Sequence, residues 1–78
     1  MSEFKLVRTA GDSDSGDYEL RFGEEAKESW ESVSRKDAKE NAETYIGEEV
    51  MGFGPPEARA AFKQVQINIP FSDETNHS

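Results

Sequence analysis

Leu, Ile, Val and Phe supply only 14 of the 78 residues, while 17 acidic residues outweigh 9 basic ones for a formal charge of −8. A chain so poor in core-forming side chains and so highly charged sits near the border of intrinsic disorder. It can fold only if almost every apolar residue is placed for burial in one thin core. The placement meets that demand. Apolar residues fall in short periodic blocks, and Tyr18, Trp30 and Tyr45 add large surfaces suited to burial. The length leaves no room for a second domain.

Phe4-Lys5-Leu6-Val7-Arg8-Thr9 reads as a first strand, with Phe4 and Leu6 on one face and Lys5 and Val7 on the other. Gly11 to Asp17 holds only turn formers and reads as a solvated hairpin loop. Tyr18, Leu20 and Phe22 then alternate with Glu19 and Arg21 as a second strand, ended by Gly23. Residues 24–33 are open to two readings. Ala26, Trp30 and Val33 have helical spacing, yet Glu28 to Val33 also suits a third strand. The strand is favoured because the next helix carries its own start signal. Ser34 can cap it, Asp37 supplies a carboxylate at N3, and Val33 and Ala38 can form a hydrophobic staple.

That helix runs from Arg35 to about Ile46 and should stop near Gly47, with Ala38, Ala42 and Tyr45 inward and Lys36, Glu40, Asn41 and Glu43 toward water. Met51 to Pro56 makes a loop, and a short helix from Glu57 to Phe62 can follow. Val65, Ile67, Ile69 and Phe71 alternate as the last strand, whose far end should lie on a sheet edge or leave the sheet because Pro70 lacks an N–H. Ser72 to Ser78 reads as a disordered polar tail, leaving residues 1–71 as the domain. The fold class expected is α+β: a small antiparallel sheet of three to four strands, with one main helix packed on one face, in β-β-β-α-β order.

Chemistry has few carriers. With no cysteine, a disulfide scaffold, a zinc ribbon and a thiol nucleophile are all excluded. The one histidine, His77, lies in the polar tail. Asp12 to Asp17 superficially suggests an EF-hand loop, but the sixth position is Asp17 where glycine is needed, and the twelfth is Gly23 where a bidentate Glu is needed. The serines have no neighbouring base, and Gly52-Phe53-Gly54 lacks the lysine of a phosphate loop. The pairs Glu24/Glu25 and Glu48/Glu49 read as solubilising charge. The expectation is a non-enzyme without a cofactor. No apolar run approaches the ~18 residues of a membrane span, and the first residues lack a signal-peptide core, so a cytoplasmic protein is expected.

The charge itself is uneven: residues 12–31 carry net −6 and residues 37–57 net −5. Solubility alone explains such a surface, and a halophilic origin is a second bland account. The functional account is complementarity to a basic patch on a partner protein, with no direct nucleic-acid binding and no membrane. The residues that would carry it are Asp12, Asp14, Asp17, Glu24, Glu25 and Glu28, with Glu40 and Glu43 on the helix. Phe53, between two glycines, suits either an exposed aromatic anchor or a plug for its own core, and the plug is the commoner use. The alternative function is a self-associating structural module using the final strand or the Phe53 loop; monomer and homodimer both stay open.

The segments GDSDSGDYELRF, SRKDAKENAETYI and KQVQINIPF, with this size, charge and element order, give a chain that resembles the small phage-encoded anti-CRISPR proteins. The resemblance implies a viral, acidic α+β inhibitor acting by nucleic-acid mimicry on a CRISPR effector or another nucleic-acid-handling complex, in the host cytoplasm. It carries over no functional residue, because that group shares no sequence signature.

Overall fold

The computed structural model describes residues 3–54, 56–57, 60 and 68–75. Three strands come first, β1 (Phe4–Gly11), β2 (Gly16–Phe22) and β3 (Glu25–Val33). Helix α1 (Arg35–Tyr45) follows, then a π-helical turn (Ile46–Val50) and the short β4 (Phe71–Asp73). The strands form one sheet in the order β3-β2-β1-β4. β1/β2 and β2/β3 pair antiparallel, while β4 joins β1 in parallel. The α+β class and the element order are those expected, and the parallel pairing makes the sheet mixed. A parallel neighbour cannot be reached by a hairpin, and the long connection containing α1 makes it possible.

The β1–β2 hairpin is built by its own side chains. The Asp12 carboxylate accepts the backbone N–H groups of Asp14 and Ser15, each at 2.9 Å, which also draws its pKa below the ordinary value. Gly16 has no room for a side chain, since a Cβ there would lie 2.6 Å from the Asp12 carbonyl oxygen. The loop is also docked: Arg35 N–H donates to the Ser13 carbonyl at 2.9 Å, tying the turn to the first residue of α1.

Leu6, Tyr18 and Leu20 from the sheet meet Ala38, Ala42 and Ile46 from the helical segment to form the buried core. Phe4, Trp30, Val33, Tyr45, Met51, Ile69 and Phe71 pack around its margin. Val7 departs from simple alternation: it is fully buried on the opposite face, in register with Glu19 and Ser72. β3 begins at Glu25, three residues before the expected start, and irregular register interrupts it twice. One shift leaves Glu31 and Ser32 opposite Asp17. There Ser32 takes φ 56° and its N–H donates to the Asp17 carboxylate at 3.3 Å.

Ser34 caps α1 as expected, its hydroxyl accepting Asp37 N–H at 3.1 Å. The stop at Gly47 does not occur. Gly47 is buried, and the chain continues as a wider turn in which Met51 N–H donates to the Ile46 carbonyl at 3.0 Å. Pro56, Glu57 and Ala60 are helical. The rest of that expected short helix, and the strand around Val65 and Ile67, lie outside the described residues.

β4 starts at Phe71, where the sequence placed the end of the strand, and takes in Ser72 and Asp73 from the presumed tail. Polar ties explain this correction. Asp73 pairs with Arg8, and Glu74 receives two N–H groups of Arg21 at 2.7 and 2.9 Å. Glu74 N–H donates to the Arg8 carbonyl at 2.8 Å, and the Arg35 guanidinium lies 4.0 Å from the Phe71 ring centroid. Pro70 precedes an edge strand, as its missing N–H requires. His77 lies outside the described residues.

Ser34→Ala should lower unfolding free energy by about 1 kcal/mol in a denaturant titration, the usual cost of a lost N-cap. Asp73 is held far below the ordinary carboxylate range by the Thr75 hydroxyl and N–H and by Arg8, and Glu74 is lowered by Arg21. Both folded-state pKa values are depressed, so their stabilisation is complete only above the unfolded carboxylate range, about pH 5, and is lost progressively as pH falls below it. Thermal melts should show a steep acid decline that becomes shallower in the double variant Asp73→Asn/Glu74→Gln.

Candidate protein-binding cleft

The acidic residues singled out in the sequence do not form one array. Asp12, Asp14 and Asp17 lie at the β1–β2 end of the hairpin, whereas Glu24 and Glu25 lie at the β2–β3 turn. The length of β2 separates these groups by roughly 20 Å. Asp12 is turned onto its own loop, and Asp17 is half-buried against Ser32; Asp14 and Glu24 are exposed. Glu25 is paired with Lys27 at 3.1 Å. Glu40 is half-buried.

Glu43, expected in water, is only 6% exposed. At 100° per residue it lies on the Ile46 side of the buried stripe, and burial withdraws it from any partner surface. Phe53 is 41% exposed and stands outside the core cluster, so the plug reading fails and the exposed one remains.

A different set of residues does converge. Glu28 stands opposite Leu20 in register and Trp30 opposite Tyr18, which puts both on the sheet face that α1 covers. Asn41, Thr44 and Tyr45 project from one flank of α1, and Glu48 continues that flank at i+7. With Glu49 these residues line an open cleft of about 240 Å³ between the helical segment and β3. A second hollow of about 340 Å³ adjoins it through Tyr45 and Glu49, and is lined further by Phe4, Phe22, Lys27 and Val50. Phe4 and Phe22 form its tilted aromatic wall, ring centroids 4.7 Å apart.

The first cleft is electrostatically one-sided. Among the described residues, three carboxylates line it and no lysine or arginine does. Among the described residues, no ion pair neutralises Glu28, Glu48 or Glu49. Glu48 and Glu49 also sit at the carbonyl end of the helical segment, where the helix dipole favours cations, and neither α1 nor the π turn has a basic residue in its last turn. Thr44 donates its hydroxyl hydrogen to the Glu40 carbonyl at 3.0 Å, so it offers the cleft lone pairs only. Such a lining favours cationic hydrogen-bond donors and repels anions. Among the described residues, no group of three or more His, Cys, Asp or Glu side chains is arranged to hold a metal.

Sequence reasoning assigned Trp30 and Tyr45 to the core and Glu48 and Glu49 to solubility. The available signal was the spacing of Asn41, Thr44, Tyr45 and Glu48, a second stripe beside the alanine stripe. No known protein family, curated protein or solved structure matches this chain. Among the described residues, no helix is long and apolar enough to cross a membrane.

Like charges at the wrong end of a helix reduce stability. The double variant Glu48→Gln/Glu49→Gln should therefore melt about 2–5 °C higher than the parent at low ionic strength. The gain should shrink in about 1 M salt, where screening already relieves the repulsion.

Proposed function

We propose that this chain is a non-enzymatic inhibitor that occupies a basic, nucleic-acid-binding surface of a partner protein. The observation that carries the reading is the acidic lining contributed by Glu28, Glu48 and Glu49, which no ion pair among the described residues compensates; Glu24 is exposed at the β2–β3 turn on the same strand connection. Rigid carboxylates near an edge strand compete with phosphates for lysine and arginine and require no chemistry. The docking face is accordingly the side carrying β3 and the π turn, and the Asp12 loop is peripheral to it. The resemblance to anti-CRISPR proteins suggests a CRISPR effector in a host cytoplasm as the first partner to try.

Self-association is the second reading, favoured by the exposure of Phe22, Val50 and Phe53. It predicts a dimer in sedimentation that Phe53→Asp dissolves.

The inhibitor reading predicts that the protein displaces DNA from a CRISPR effector, or from another nuclease of a tested panel, in a gel-shift competition. Displacement should weaken with salt and fall at least ~10-fold in Glu24→Lys/Glu28→Lys/Glu48→Lys while the variant stays folded. Displacement from no member of the panel, or displacement indifferent to these substitutions, would overturn it.

A further inference from the structure

We propose that the cleft between α1 and β3 is a receptor for an arginine side chain of the partner, with an apolar neighbour of that arginine seated in the adjoining hollow. The inference rests on the acidic-binding reading above and names the group that this face takes.

Charge complementarity selects the occupant. A cation entering the cleft meets Glu28, Glu48 and Glu49, which among the described residues have no internal counter-ion, at the negative end of a helix. Trp30 and Tyr45 line the same space and are half-buried, and aromatic faces attract cations. The Thr44 hydroxyl and the Asn41 amide oxygen add neutral acceptors.

A guanidinium suits this lining better than an ammonium. It is planar, stacks on indole, and aims five N–H donors at acceptors spread around its rim, whereas lysine presents one compact, strongly hydrated charge. The adjoining hollow has the opposite character. Phe4, Phe22 and Val50 dominate it, and Lys27, the one cation among the described residues that line it, is paired with Glu25 at 3.1 Å. An arginine followed closely by a leucine-like residue fills both halves.

Trp30 is the only tryptophan in the chain, so its fluorescence reports directly on the cleft. The probe is the capped peptide Gly-Arg-Ala-Leu-Gly, compared with the same peptide carrying citrulline or lysine in place of arginine. Citrulline keeps the shape of arginine and removes its charge. The arginine peptide should change Trp30 emission saturably. The citrulline peptide should bind at least ~10-fold more weakly, the lysine peptide several-fold more weakly, and Glu48→Gln/Glu49→Gln should lose ~10-fold for arginine with circular dichroism unchanged. No saturable change, or equal binding of arginine and citrulline, would overturn the receptor; equal binding of lysine would overturn its assignment to guanidinium. Charge-dependent DNA displacement without any peptide response would remove this inference and leave the inhibitor reading standing. Peptide binding without displacement would do the reverse.

Discussion

Two alanines decide how closely the helix approaches the sheet. Ala38 and Ala42 are fully buried, and with so little side chain between backbones α1 can settle onto Leu6, Tyr18 and Leu20. Burying a Leu-sized side chain is worth about 1.5–3 kcal/mol, so each of the buried residues described matters to a marginally stable fold. The same close contact creates the cleft. On the flank facing β3 the helix carries Asn41, Thr44 and Tyr45, and the strand answers with Glu28 where an apolar residue would have continued the core. The molecule is packed under β1 and β2 and left open beside β3.

Polar contacts complete what the core cannot. β4 spans three residues and offers Phe71 as its apolar contribution, so Arg8, Arg21 and Arg35 provide much of its attachment. Exposed ion pairs are individually weak. Arg21 gains from geometry: it engages both oxygens of Glu74 and also Glu19, and this environment strongly favours its charged form. The edge at β4 is therefore the part of the sheet most sensitive to acid and salt, whereas β1 and β2 draw on burial.

Local grammar made most of the fold legible. Ser34 and Asp37 marked the helix start, the alternation of Tyr18, Leu20 and Phe22 marked β2, and that helix start favoured a strand from Glu28 to Val33, which in the structure reaches back to Glu25. What stayed hidden depended on partners distant in sequence. Glycine at 47 is ordinarily a terminator, and nothing nearby announces that it will be buried in a π turn. Asp73 and Glu74 look like tail residues until Arg8 and Arg21 are seen beside them. The site was obscured for a related reason. Charge density along the chain drew attention to the Asp12 loop, but the hairpin sends its two acidic ends apart, while the β3 register brings Glu28 toward Glu48 and Glu49 from twenty residues away.

The guanidinium of Arg8, and the terminal nitrogens of Arg21 that Glu19 leaves free, wait for carboxylates that follow them by 65 and 53 positions. On a chain emerging from the ribosome, the first hairpin must therefore stand with one flank unfinished until residues 71–74 have been made. Completion of the sheet is a late, long-range event, and its speed will follow loop-closure entropy more than local propensity.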